Sequence, residues 1–244
     1  VLVQDLERLT KTYLLPESDG NHVRRLQAEL AALDTAIMEV TEDQGESTQA
    51  YSALEEQLEM LQSNLKDIED EQISVSERLA QIEKVDLNAR QKANVYVNRL
   101  HTIKRYMEKR NLPGIPQSFL KLFFTASHNT EDLMAELEQP QVNIESVKRV
   151  LEIATNDMEA LETETYDIVQ YATLTEQLLQ YSNRYRSFDE RIQEAFNEAL
   201  EIFEKEFDYQ ASFEKISQAL EVAEPGVTNR FVTSYEKTRE AIRF

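Results

Sequence analysis

The sequence contains no cysteine and no tryptophan, and of its 244 residues only four are glycine and five are proline. Without thiols, disulfide scaffolds and cysteine-ligated zinc or iron-sulfur sites are excluded, and the absence fits a reducing compartment. Glycine falls far below its usual share of about 7%, which leaves little material for phosphate-cradling loops or a hairpin-rich fold. No stretch approaches the roughly 18 consecutive apolar residues of a spanning helix. The chain starts at Val1 rather than an initiator methionine, so no signal peptide or anchor is legible and it reads as a soluble fragment of a longer protein. Cations are also in deficit, with 26 Lys and Arg against 46 Asp and Glu and a formal net charge of −20. Such a surface repels phosphodiester backbones, so no nucleic-acid partner is expected. An elongated, all-helical protein remains.

The positive signal is a long repeat. From Leu26 through Leu30, Leu33, Ile37, Val40 and Gln44 to Tyr51, Leu54, Leu58, Leu61, Leu65, Ile68, Val75, Leu79, Ile82 and Asp86, positions recur at alternating spacings of four and three. This is the seam of a helix packed on partner helices. At about 1.5 Å per residue the rod would be roughly 90 Å long. The seam weakens at Gln44-Gly45-Glu46-Ser47, where a bend or loop and a continuous helix stand equal. Upstream, Pro16-Glu17-Ser18-Asp19-Gly20-Asn21 makes residues 1–15 the tail of an earlier helix, with the next starting at Asn21 or His22.

Downstream the period continues through Ala89, Ala93, Tyr96, Leu100, Ile103 and Met107 until Asn111-Leu112-Pro113-Gly114-Ile115-Pro116 stops it. A shorter apolar segment carries Phe119, Leu120, Phe123, Phe124, Leu133 and Leu137. From Asn143 a helix of about 45 residues is expected on its periodicity. A further helix with Ile192, Phe196, Leu200, Phe203 and Phe207 is expected to run on through Phe213, Ile216 and Leu220. The last helix follows Glu224-Pro225-Gly226 and covers Val227 to Phe244. Charge is segregated: residues 39–83 hold 13 acids and two bases, whereas residues 90–110 hold seven bases and only Glu108. The basic block is expected to lie against an acidic helix of the same molecule or of a second copy.

No catalytic constellation emerges. His22, His101 and His128 lie far apart without metal-ligand spacing. The acids Glu55, Glu56, Asp67, Glu69, Asp70 and Glu71 fall outside the seam, on a solvated face without the burial or cleft that a paired acid and base needs. Ser18-Asp19-Gly20-Asn21 lacks the acidic spacing and terminal Glu of a calcium loop. The chain is not read as an enzyme, and neither cofactor nor metal is expected.

One island contrasts with the rest. Between Ile168 and Phe188 the only acid is Glu176, among amides, tyrosines and two arginines, residue types suited to adaptable contacts. Helical spacing places Gln177, Gln180, Arg184 and Ser187 along one stripe, and Leu174, Leu178, Tyr181, Tyr185 and Phe188 along the neighbouring core stripe. The alternative for the first stripe is a helix end near Ser187, whose dipole Arg184 and Arg186 would complement.

Four separated segments carry a resemblance: Asn-Leu-Pro-Gly-Ile-Pro at 111–116, Leu-Leu-Gln-Tyr-Ser-Asn-Arg-Tyr-Arg-Ser at 178–187, Phe-Asp-Tyr-Gln-Ala-Ser-Phe-Glu-Lys-Ile-Ser-Gln-Ala-Leu-Glu at 207–221, and Glu-Pro-Gly at 224–226. Together they resemble the C-terminal part of the EzrA family, septation ring formation regulators of low-GC Gram-positive bacteria. The resemblance is most specific from residue 111 onward, and over 22–86 it is generic coiled coil. It implies an all-α, elongated array of spectrin-like antiparallel three-helix bundles joined by long shared helices. Residues 1–111 would supply the long heptad helices of a penultimate repeat, and 112–244 a C-terminal bundle.

The resemblance further implies a protein at the cytoplasmic face of the cell membrane, at the division septum, anchored through an N-terminal helix absent from this chain. Its implied function is to bind FtsZ, to restrain Z-ring formation and to scaffold other division and cell-wall synthesis proteins. A homodimer through helices 22–111 is a further expectation. The segment Gln180, Tyr181, Ser182, Asn183, Arg184, Tyr185 and Arg186 is similar to the family's mid-cell recruitment patch. The expected partner-binding residues are therefore Gln180, Tyr181, Asn183, Arg184, Tyr185 and Arg186, with the two tyrosines holding the helix to its bundle. The competing reading is a structural spacer that self-associates through the seam and does not touch FtsZ.

Overall fold

The structure is a computed structural model that describes residues 12–14, 21, 24–25, 28, 31–32, 35 and 48–239. The expected bend at Gly45, most of the seam before Thr48 and residues 240–244 lie outside the described residues. The described part is predominantly helical. In chain order come a short strand β1 (Tyr13–Leu14), helices α1 (Thr48–Lys109) and α2 (Gln117–Leu137), and a short strand β2 (Val142–Asn143). They are followed by α3 (Ile144–Ser182), α4 (Glu190–Glu201), a π-helical turn (Ile202–Glu206), α5 (Tyr209–Ala223) and α6 (Val227–Arg239).

Helix α1 runs unbroken for 62 residues. The seam holds along its described side chains, where Leu79, Ala89, Ala93, Tyr96, Ile103 and Met107 are all buried. The polar seam position Asp86 is satisfied, accepting from the Tyr13 hydroxyl at 3.3 Å and from Arg90 Nε at 3.0 Å. The helix ends at Lys109, and the Pro113-Gly114-Ile115-Pro116 segment is non-helical, as two prolines require. The 39-residue helix α3 begins where the Asn143 side chain accepts the backbone N–H groups of Glu145 and Ser146, each at 3.1 Å.

Three sequence expectations are corrected. Tyr13–Leu14, placed by the sequence in the tail of a helix, is a strand paired in parallel with Val142–Asn143, directly after the helical Thr12. Burial of Tyr13 and the bond from its hydroxyl to Asp86 favour this pairing. Helix α3 stops at Ser182, short of the expected length. The continuous helix from Ile192 to Leu220 is broken: Phe207 adopts a left-handed conformation (φ 58°) and Asp208 caps α5 by accepting from Ala211 N at 2.9 Å. Tyr209 drives the same break, donating its hydroxyl to the Gly114 carbonyl at 2.7 Å.

The chain divides into two compact units. The first comprises residues 1–93 and 132–151. In it Arg90 Nη2 donates to the Leu137 carbonyl at 2.8 Å, satisfying an otherwise open acceptor at the end of α2. The second comprises residues 94–131 and 152–244. Within it Tyr96 pairs with Thr155 at 2.8 Å, Ser118 donates to Glu164 at 2.6 Å and Asn129 donates to Asp157 at 2.5 Å. Arg99 of the basic block meets Glu162 of α3 at 2.7 Å. A core at the C-terminal end of α3 gathers Leu178, Leu179, Ile192, Ala199, Ile216, Leu220 and Val227.

Candidate functional site

The acid-poor island spans the C-terminal end of α3 and the turn that follows. Ser182 is fully buried and its hydroxyl donates back to the Leu179 carbonyl at 2.7 Å, one of the local bonds by which serine competes with helix continuation. The turn is itself tied by backbone hydrogen bonds: Tyr185 N to Ser182 O at 2.9 Å, Arg186 N to Ser182 O at 3.0 Å, and Phe188 N to Tyr185 O at 2.8 Å. Asp189 then caps α4 by accepting from Arg191 N at 3.0 Å. Asn183, Arg184, Tyr185 and Arg186 therefore sit on a hydrogen-bonded turn, and only Gln180 and Tyr181 of the six expected residues are helical. The expected helical stripe through Gln177, Gln180, Arg184 and Ser187 ends at Ser182, because the capping aspartate and the back-bonded serine close α3 first.

Beneath the turn lies an acceptor that sequence reasoning missed. Tyr181 and Tyr185 donate their hydroxyls to the same oxygen of Glu224, Oε2, at 2.5 and 2.6 Å, and Arg230 donates to Oε1. Hydrogen bonds from Tyr181 and then Tyr185, with Arg230 adding its charge, hold the Glu224 carboxyl down at about 2. The bond to Glu224 pushes the Tyr185 phenol up to about 12. Tyr181 also packs edge-on against Phe231 at 5.3 Å, and both tyrosines lie on the core around Leu178 and Leu220. Through these contacts the two side chains tie the end of α3 to the segment before α6. Two tyrosines four apart at a helix end, with Glu-Pro-Gly downstream, were the available signal for a shared acceptor.

The arginines are placed by aromatic rings. The Arg184 guanidinium lies 4.7 Å from the Tyr181 ring centroid, and Arg186 lies 4.4 Å from that of Phe196. Gln180, Asn183 and Arg184 are exposed, whereas Tyr181, Tyr185 and Arg186 are half-buried. The structure thus brings all six residues to one helix end. They form an ordered polar surface able to donate hydrogen bonds and offer positive charge, with no nucleophile or general base among them.

A sequence profile of the septation ring formation regulators, EzrA, matches residues 1–235. The chain belongs to the EzrA family. The septation ring formation regulator EzrA of Streptococcus pneumoniae strain Hungary19A-6 is 83% identical over 244 residues, all of this chain and 42% of that relative. The same identity and coverage hold for the proteins of serotype 19F strain G54 and of strain 70585. The chain spans about two fifths of the length of these EzrA relatives. No solved structure matches it. In this EzrA chain no described helix is long and apolar enough to cross a membrane. Among the described residues no group of three or more His, Asp or Glu could hold a metal ion.

Proposed function

We propose that this chain is part of a cytoplasmic regulator that binds FtsZ and restrains Z-ring formation at the division septum. In this reading it belongs to an array of spectrin-like three-helix repeats, tethered to the membrane by a preceding helix and scaffolding other division and cell-wall synthesis proteins. The supporting observation is the ordered turn after α3. Its exposed Gln180, Asn183 and Arg184 stand on tyrosines that Glu224 locks in place. A preorganised polar surface loses little conformational entropy when a partner binds. Occupation of such a surface would lower the population of FtsZ able to bundle laterally, with no covalent step.

The test is co-sedimentation of the chain with FtsZ and GTP, comparing the native sequence with an Asn183→Ala, Arg184→Ala double variant. The native chain is expected to pellet with polymer or lower polymer yield, and the variant to do neither while melting at an unchanged temperature. If both forms leave FtsZ untouched while folded, the contact lies elsewhere in the full-length protein.

A second reading, self-association, draws on α1, which exposes Ile73 and Leu87 fourteen residues apart outside its buried seam. Sedimentation equilibrium of an Ile73→Glu, Leu87→Glu variant tests it, since a dimer built there would dissociate to monomer.

A further inference from the structure

At the end of the turn stands a residue that the recruitment patch does not include. Phe188 is 91% exposed, the most exposed large apolar side chain among the described residues. It is not exposed by slack backbone. Its N–H donates to the Tyr185 carbonyl at 2.8 Å, and the next residue, Asp189, donates to the same carbonyl at 3.0 Å and caps α4. A phenylalanine held at a rigid turn with its ring in water forgoes the burial that its type ordinarily finds.

Two arginines precede Phe188 by four and two residues. In a chain of net charge −20, Arg184 and Arg186 have no carboxylate within ion-pair distance among the described residues. Four arginines elsewhere do: Arg90 meets Asp86, Arg99 meets Glu162, Arg191 meets Asp189, and Arg230 meets Glu224, whereas Arg105 and Arg149, like these two, have no ion pair among the described residues. The two guanidiniums are instead spread over the rings of Tyr181 and Phe196, which fixes their position without neutralising them.

A projecting ring on the same turn as two fixed arginines that meet no described carboxylate is the complement of an apolar pocket rimmed by acids. We infer that Phe188 is the apolar anchor of this surface, and that its partner is a folded protein presenting an apolar pocket bordered by Asp or Glu side chains. The inference rests on the reading of the turn as a recruitment surface and adds to it an anchor residue and a partner chemistry. Aromatic and arginine side chains carry most of the binding energy at protein interfaces, and a pocket that desolvates them strengthens the charge pairing. Asn183 and Gln180 would form the hydrogen-bonding rim.

The experiment places p-benzoylphenylalanine at position 188 of the full-length protein in dividing cells of its own species, followed by illumination and mass-spectrometric mapping of the adduct. The expected result is a protein adduct whose attached peptide lies in an apolar pocket with Asp or Glu at its edge. Adduct yield should fall about tenfold when Arg184 and Arg186 are both replaced by Ala. Phe188→Ala should weaken binding of the captured protein to a similar degree, Phe188→Leu should restore part of it, and the melting temperature of both variants should match the native one. Absence of an adduct, a lipid adduct, an adduct to a second copy of this chain, or a contact lacking acids would each overturn the inference. Capture of a protein other than FtsZ through an acid-rimmed pocket supports it while removing FtsZ as the partner of this turn.

Discussion

Two tyrosine hydroxyls share one carboxylate oxygen of Glu224 while Arg230 occupies the other, so a single side chain from the turn before α6 fastens the end of α3. Its carboxyl is held at about 2 against an ordinary 4.5, so the folded state favours the ionised form. That contribution is fully present above pH 4.5 and is lost as pH falls through about 2. Tyr185 has the opposite sign. Its phenol is raised from 10.0 to about 12, so its contribution is present below pH 10.0 and is lost as pH rises through about 12. Thermal melts across the acid range should show the native chain losing stability between pH 4.5 and 2, and a Glu224→Gln variant losing less over the same interval. Equal slopes for the two proteins would show that other carboxylates dominate.

Helix ends, more than helix interiors, determine where the surface is displayed. Asn143, Asp189 and Asp208 each accept backbone N–H groups at the start of a helix, and two of these caps, Asp189 and Asp208, sit where periodicity alone carries on or leaves the boundary open. At Phe207 the cost of a left-handed phenylalanine is offset by Asp208, by the Tyr209 bond to Gly114, and by the Phe207 ring lying so close over Gly114 that a Cβ there would overlap it. Asp208→Ala should lower stability by about 1 kcal/mol, read as a shift of the urea midpoint at constant slope. A midpoint shift within error would mean that Tyr209 and Phe207 hold the break without the cap.

On the scale of the whole molecule, the net charge of −20 dominates long-range behaviour. Anionic bilayers repel such a surface, and the turn after α3 sets only two cations, Arg184 and Arg186, against it. In flotation with vesicles rich in anionic lipid, the chain should stay with the soluble fraction at low and at physiological salt. Flotation with the vesicles would reveal a lipid-binding face.

Much of this was legible in the residues. The alternation of threes and fours from Leu79 to Met107 marks the buried face of α1, because a seam packed along its length must repeat at the pitch of the helix. Two prolines and a glycine mark its end, since neither a missing N–H nor a locked φ can be repacked away. Composition also singled out the island at 168–188, as a gap in the acids. What sequence could not supply was every feature that depends on residues distant along the chain. Glu224 lies 43 positions from Tyr181, and Gly114 lies 95 from Tyr209. Tyr13 pairs with a strand more than a hundred residues on. Periodicity reports which face of a segment is buried, a local property. Where a helix stops, which acceptor a tyrosine finds and whether an arginine meets a carboxylate are decided by tertiary neighbours, because hydrogen bonds and ion pairs act over a few ångströms whatever their separation in sequence.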